Sequence, residues 1–408
     1  MGSKPSTLSR ESLASMASAP SRRLIVLLGS LVAFAPLSVD MYLPSFPTLQ
    51  REFSAADGQV QFTLAAYFIG MAIGQAFYGP IADHFGRKPP LYAGFLLYIA
   101  ASFACSQAGS IESLIAWRFV QALGGCAGMV ISQAVVRDLF DLQNSARVLS
   151  RMMLVMGVAP ILGPLLGGQV LLWASWRWIF MLLAVFGAAC LSVVVTALPE
   201  TKPGVSHGPI GIGRALRTYV SLACDRRFVG FSVCSTFSSM GMFAYIAGSP
   251  FVLIELYHVP AQAFGWIFGS GAVGIISAAQ INHRLLSSHR PATLLRRALL
   301  GMVGCSLLLL VMTATNWLGL AGVVVPLVGF VALIGFVNPN ATAGAMAEQG
   351  HRAGSASALM GSLRFAGATV AGSLVGLLHN GTAMPMVGIM LAGVTAAVLV
   401  DRLMIGEG

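Results

Sequence analysis

Charge is what this chain lacks. Only 9% of its 408 residues are Asp, Glu, Lys or Arg, whereas 56% are hydrophobic. Soluble domains carry about 25% charged residues, so a water-facing globule is excluded. Acidic residues are the scarcer sign, 14 against 24 basic, for a net charge of +10. The six cysteines lie singly, mostly within apolar runs, with neither metal-ligand spacing nor a disulfide framework. No glycine-rich segment ends in Gly-Lys-Ser or Gly-Lys-Thr, so a nucleotide-binding loop is absent. The seven histidines are dispersed, and no nucleophile or metal cluster of the kind an enzyme needs stands out. No polar stretch is long enough to form a receptor's soluble domain.

What is present is a succession of apolar runs of about 20 residues, the length that crosses a bilayer core of about 30 Å. Twelve are predicted, at 24–44, 60–82, 91–108, 113–136, 148–171, 177–198, 228–251, 263–285, 293–314, 317–340, 354–378 and 383–402. With the N-terminus inside, all basic residues but Arg51, Arg118, Arg177 and Arg364 fall in cytoplasmic segments. That bias sets the orientation. The positive charge is therefore a topology signal beside anionic lipid, not a nucleic-acid footprint. Residues 1–21, rich in Ser and Ala, read as a disordered cytoplasmic tail. A signal peptide cleaved near Ala33-Phe34-Ala35 would leave an odd number of spans, which disfavours it.

The apolar pattern breaks once. Pro199-Glu200-Thr201-Lys202-Pro203 opens a Gly-, Pro- and Arg-containing stretch that runs to Arg227. Six spans precede it and six follow. The expected organisation is all-α: an N-terminal six-helix bundle (22–198), a cytoplasmic linker (199–227), a C-terminal six-helix bundle (228–403) and a short tail (404–408). A substrate site is expected between the bundles near mid-membrane. Linker residues 210–222 form either a short surface helix or a flexible tether.

Asp40, Arg118 and Arg364 are the informative charges within spans, where an ionisable group costs several kcal/mol unless it faces a cavity or partner. Asp40 falls about 24 Å from the cytoplasmic edge and Arg118 about 22 Å, so the two share a layer. Gln121 follows Arg118 by three residues on the same helical face and is placed to hydrogen-bond Asp40. Asp40 is the candidate proton carrier, loading from outside and releasing inside, with Arg118 setting the release point. The alternatives are a wetted rim carboxylate and a structural arginine. Arg364 falls near the middle of the eleventh span, with no acidic partner evident in its half. It either contacts a substrate acceptor or lines a water-filled cavity. Further polar or aromatic mid-span residues, Tyr67, Gln75, Tyr245, Asn338 and Asn340, are candidate substrate contacts.

Three motifs carry a resemblance. The turn Gly79-Pro80-Ile81-Ala82-Asp83-His84-Phe85-Gly86-Arg87-Lys88-Pro89-Pro90 resembles the signature loop of the major facilitator superfamily, with His84 where that loop usually has a permanent cation. Arg118-Phe119-Val120-Gln121-Ala122-Leu123-Gly124-Gly125, in the fourth span, resembles a motif of proton-coupled drug transporters. Gly157-Val158-Ala159-Pro160-Ile161-Leu162-Gly163-Pro164-Leu165-Leu166-Gly167-Gly168, in the fifth, resembles one associated with exporters. With Asp40-Met41-Tyr42-Leu43-Pro44, Ser249-Pro250-Phe251 and Arg364-Phe365, the chain is similar to twelve-span drug:proton antiporters of the Bcr/CflA, bicyclomycin- and chloramphenicol-resistance type.

The resemblance implies a monomeric, multi-pass protein of the bacterial inner membrane with both termini cytoplasmic. It would export small amphiphilic drugs, be driven by protons without a cofactor or resident metal, and have lipid as its only other partner. A proton-linked importer, or an exporter of sugars or amino-acid derivatives, is the alternative on the same scaffold. In this reading Gly79, Asp83, Gly86, Arg87, Lys88 and Arg137 form a cytoplasmic latch, with Asp83 pairing with Arg137 or sitting at the N-terminus of the eleventh span. Gly157, Pro160, Gly163, Pro164, Gly167 and Gly168 form a kinked, small-residue helix. Gly163 and Gly167 are expected to pack against Gly265, Gly269, Ser270 and Gly274 of the eighth span and seal the outer side.

Overall fold

A computed structural model describes residues 22–56, 58–202 and 211–406, so the expected tail at 1–21 lies outside the described residues. The described residues form helices and turns without strands. The first span is broken into α1 (Arg22–Val32), α2 (Phe34–Asp40), a single 3-10 turn (Leu43–Ser45) and α3 (Phe46–Glu52). Its two limbs meet at 43°. The bend has a local cause: Pro36 has no N–H for the Val32 carbonyl and its ring crowds that carbonyl, so the helix breaks at Ala33. Pro44 and Pro47 sit in the first turns of the segments that restart it. The first span consequently runs to Glu52, beyond the expected limit at residue 44.

The N-terminal half continues with α4 (Gln61–Phe85), α5 (Lys88–Ser106), α6 (Ile111–Leu139), α7 (Leu142–Trp173) and α8 (Arg177–Ala197). The linker contributes α9 (Ile212–Ala223). The C-terminal half is α10 (Arg226–Ser249, continuing as a π-helical turn to Leu256), α11 (Ala261–Leu285), α12 (Pro291–Thr315), α13 (Gly319–Met346), α14 (Ala353–Leu377) and α15 (Met384–Val400, continuing to Ile405). Eleven of these helices are long and apolar enough to cross a membrane, and the bent first span makes twelve. Caps fix several starts. Ser110 and Ser113 form a reciprocal capping box at α6. Asp141 accepts from the Asn144 N–H at α7, at 2.7 Å.

Glycines set how closely the spans approach. In the N-terminal half Gly70 of α4 faces the Phe119 carbonyl and Ala122 of α6, and Gly94 of α5 faces Ala127 and Gly124 of the same helix. Helix α6 thereby becomes the inner helix of its bundle, and α10 takes the corresponding place in the other; 72% of the most apolar stretch of each is buried. The halves meet along two helix pairs, α4 with α14 and α7 with α11. On the face opposite the linker, hereafter the far face, these contacts are backbone-close. Gly58 adopts φ +78° with its Cα against the Gly376 carbonyl, and Gly168 lies against Ala261. On the linker face the halves part around a cavity.

Candidate functional site

The cavity between the halves has a volume of about 900 Å³. At its mouth on the linker face stand Asp83, Arg137, Lys202 and Arg352. Its deeper wall is built from Gln75 of α4, Met129 of α6, Phe243 of α10, Asn338 of α13, and Arg364 and Phe365 of α14. Of the six residues expected to contact substrate, Gln75, Asn338 and Arg364 therefore line it, whereas Tyr67, Tyr245 and Asn340 do not. Tyr67 is buried under Arg118. Tyr245 stacks on Phe268 at 5.2 Å. Asn340 donates to the Asn282 side chain at 2.7 Å inside the C-terminal half. Polarity at mid-span marks a residue as needing a partner, and for Asn340 that partner is another helix.

Arg364 is held by hydroxyls. Its Nε donates to Ser235 at 2.9 Å and its Nη2 to Thr342 at 3.0 Å. No carboxylate lies within ion-pairing distance among the described residues. Beside it Phe365 and Phe243 form an aromatic wall with centroids 6.0 Å apart; Phe68 of the other half, buried and off the cavity, packs on Phe243 at 4.8 Å. Sequence reasoning missed these phenylalanines, because 23 are spread along the chain and spacing alone does not separate cavity walls from lipid-facing rings.

No hydrogen bond or ion pair joins Asp40 to Arg118. Arg118 has no exposed surface. Its guanidinium lies over the rings of Tyr67 (4.3 Å to the centroid), Tyr42 (4.7 Å) and Phe180 (5.6 Å). Its Nη1 donates to Gln121 at 2.6 Å, and Gln121 donates on to Ser102 at 2.8 Å. This corrects the expectation that Gln121 serves Asp40: the neighbouring cation takes its oxygen and Ser102 its nitrogen. Cation–π contact replaces the missing counter-ion, and such contacts strengthen when desolvated.

Asp40, only 4% exposed, has no hydrogen bond or ion pair among the described residues. It does not line the cavity. Its carboxyl lies in Coulombic reach of the Tyr67 and Tyr245 hydroxyls, so two expected substrate residues are neighbours of Asp40 instead. A Cβ at Gly163 would stand 3.0 Å from the Asp40 Cβ, and Gly167 abuts the Met41 carbonyl. Gly163 and Gly167 thus pack on the first span, not on the eighth as expected. The α7–α11 contact does form, through other residues: Gly168 against Ala261, Gly265 against Leu165, Gly269 against Ile161 and Gly157 against Ile276. Gly274 instead faces Ala332 of α13.

The Gly79–Lys88 turn builds a cluster within its own half. Arg87 donates from Nε and Nη2 to both oxygens of Asp138, at 2.7 and 3.1 Å, and from Nη1 to Asp83 at 3.0 Å. Asp83 also accepts from Lys202 at 2.9 Å. The expected Asp83–Arg137 pair is absent, because the linker lysine and Arg87 already occupy Asp83; Arg137 points toward Gly354 at the start of α14. Gly86, at φ +88°, turns the chain so that the Glu200 carboxylate accepts the Arg87 and Lys88 N–H groups at 2.8 and 2.9 Å. A side chain there would meet Glu200. Gly79 borders the cavity with no atom near its Cα face. Asp138 and Glu200 were both overlooked. Asp138 directly follows Arg137, and Glu200 begins the linker, so their signal was acid next to a basic cluster.

The linker helix joins both halves. Tyr219 donates to the Ala76 carbonyl of α4 at 2.9 Å, and Arg352 donates to Ser221 at 2.7 Å. Asp225 caps α10 by accepting the Arg227 and Phe228 N–H groups at 3.0 Å. Those bonds, that from Phe228 foremost, hold its carboxyl below the usual range. Of the two alternatives for the linker, the structure has the short helix, displaced by a residue or two from 210–222.

Residues 28–372 match the Major Facilitator Superfamily. The chain belongs to that superfamily. It is 37% identical over 377 residues to the uncharacterized MFS-type transporter YdgK of Bacillus subtilis (strain 168), covering 92% of this chain and 93% of that one. It is 34% identical to the bicyclomycin resistance protein homolog of Haemophilus influenzae over 92% and 94% of the two chains. It is 27% identical to the multidrug resistance protein MdtL of Shigella dysenteriae over 91% and 92%. Among solved structures, the nucleoside transporter NupG superposes with a TM-score of 0.72 at 13% identity, covering 94% of this chain and 98% of that one. The xylose transporter XylE of E. coli, in a partially occluded inward-open conformation, superposes with a TM-score of 0.70 at 15% identity, covering 93% and 95%. The chain is a multi-pass membrane transporter with the major facilitator fold.

Proposed function

We propose that this transporter exports small amphiphilic molecules, of the bicyclomycin- or chloramphenicol-like kind, in exchange for protons across the bacterial inner membrane. The linker face is the cytoplasmic one, which places its arginines and lysines inside. The observation that carries the reading is the separation of two sites. A cavity between the halves meets the linker face, while an unpartnered buried carboxyl, Asp40, lies outside it against the glycines of α7. A lone carboxyl in such a place is a proton site by its cost, since burying it charged and unpaired is unfavourable. The named functions of the bicyclomycin-resistance and multidrug-resistance relatives support export of drugs.

The steps follow from the contacts. Substrate enters the cavity from the cytoplasm. The halves rock about α4–α14 and α7–α11, the linker-face cavity closes and the far-face glycine contacts part. A proton taken up by Asp40 from outside then drives the return. Efflux by the purified full chain in proteoliposomes under an imposed proton gradient tests this. Asp40→Asn is expected to lose gradient-driven export while retaining downhill exchange of substrate. Export by Asp40→Asn with undiminished gradient dependence would overturn the assignment.

A further inference from the structure

The polar inventory of the cavity is one-sided. Five basic side chains line it, Arg87, Arg137, Lys202, Arg352 and Arg364, against one acid, Asp83. Asp83 stands at the mouth, and Arg87 and Lys202 already share it. The deep end has no acid among its described lining residues. There Arg364 has a guanidinium nitrogen to spare: Nε and Nη2 are engaged by Ser235 and Thr342, whereas Nη1 makes no hydrogen bond and is not among the solvent-inaccessible unpaired atoms. The Ser239 hydroxyl, buried at the cavity wall, has no partner either. Beside Arg364 the lining includes Phe243 and Phe365, with the buried Phe68 of the other half packed on both.

We infer that the cavity ranks amphiphiles by charge, taking organic anions such as aromatic carboxylates above the uncharged amphiphiles of the proposed function and disfavouring lipophilic cations. The recognition chemistry is a carboxylate on the Arg364 Nη1–H, with the apolar body against Phe243 and Phe365. A guanidinium held in a fixed orientation by two hydroxyls is preorganised for an oxyanion, and hydrogen bonds to a charged acceptor are the stronger kind. A cation in the same place would meet a like charge with no carboxylate to offset it, a repulsive element of the sort that creates specificity. The aromatic wall supplies contact area that is indifferent to substituents, so the class is defined by charge and apolar surface rather than by one molecule. Because Asp40 lies off the cavity, bound anion and bound proton do not compete for one group.

This inference rests on the proposed reading of the cavity as the substrate site, and binding separates it from proton coupling. Three probes of one shape are measured against the full chain in lipid nanodiscs: 1-naphthoate, 1-naphthamide and 1-naphthylmethylammonium. The expected order is naphthoate tightest and ammonium weakest, with about tenfold or more between the charged pair. Arg364→Gln is expected to erase the preference for naphthoate over naphthamide, and Arg364→Lys to retain most of it. Thr342→Val, which loosens the guanidinium without removing it, is expected to weaken naphthoate alone. Equal or tighter binding of the ammonium probe overturns the inference, as does binding of none of the three. An unchanged charge preference in a folded Arg364→Gln or Arg364→Met does the same. Charge-selective binding without gradient-driven flux would leave the inference standing and remove the antiport reading, whereas flux without charge selectivity would do the reverse.

Discussion

Two arginines lie deep within the membrane spans, and the protein treats them oppositely. Arg118 is enclosed by three aromatic rings and bonded to Gln121, off the cavity and without exposed surface. Arg364 is steadied by two hydroxyls and left open on one nitrogen in the cavity wall. Both lack a carboxylate partner among the described residues, so absence of a counter-ion does not distinguish them. What distinguishes them is who completes the coordination. For Arg118 the protein does so with ring faces, and the charge becomes part of the architecture linking the first span at Tyr42 to α4, α6 and α8. For Arg364 the completion is left to whatever enters.

The contrast breaks most visibly under the same substitution at both sites. Arg118→Lys is expected to cost about 2–3 kcal/mol of stability and nearly all flux, because an ammonium cannot lie flat between Tyr42 and Tyr67 while donating to Gln121. Arg364→Lys is expected to leave the melting temperature within about 1 °C, a shift worth under about 1 kcal/mol in a chain this long. Thermal unfolding by fluorescence-detected size exclusion, read beside flux, checks both. Equal losses of stability would show that Arg364 is as architectural as Arg118.

A second contrast, in transport without loss of folding, separates the two faces of α7. Gly163→Leu drives a side chain into the backbone around Asp40 and Met41, and is expected to abolish transport while the protein still reaches the membrane. Gly269→Leu meets only Ile161, at 3.3 Å from its Cβ, and is expected to slow transport several-fold. Reversal of that order would shift the decisive contact to the half-to-half interface. The smallest effect belongs to Asp83, the exposed member of the turn cluster. Asp83→Asn leaves Arg87 clamped by Asp138 and is expected to cost about 0.5 kcal/mol, diminishing with salt, whereas Asp138→Asn removes a bidentate pair and costs more.

The spans were legible because hydropathy is a local property: a run of about 20 apolar residues declares itself whatever it packs against. The break at Ala33 was equally local, written in Pro36, yet passed unnoticed inside an otherwise apolar run. Pairings were harder. Asp83 and Arg137 end neighbouring spans, but the lysine that reached Asp83 comes from 119 residues away in the linker, and no spacing rule spans that distance. The α7–α11 contact was foreseen from glycine content, with its faces misassigned. At about 100° per residue, Gly157, Ile161, Leu165 and Gly168 fall on one side of the helix. Gly163 and Gly167 fall on nearly the opposite side. The angular arithmetic was available, but which side met which neighbour is a tertiary fact.

Helix α7 is therefore thin in two directions. Ordinary side chains keep packed helices about 8–10 Å apart; here glycines on opposite flanks let α11 press from one side and the first span from the other. A helix squeezed in this way behaves as a tappet. A displacement of the C-terminal half arrives through Ile161, Leu165 and Gly168 and leaves through Gly163 and Gly167, where it meets the Cβ of Asp40 and the Met41 backbone. The carboxyl then registers the position of the opposite half by touch, with no charged wire between it and the cavity. In the proposed antiport cycle, stiffness along this line, more than electrostatic reach, would set how faithfully Asp40 follows the opposite half.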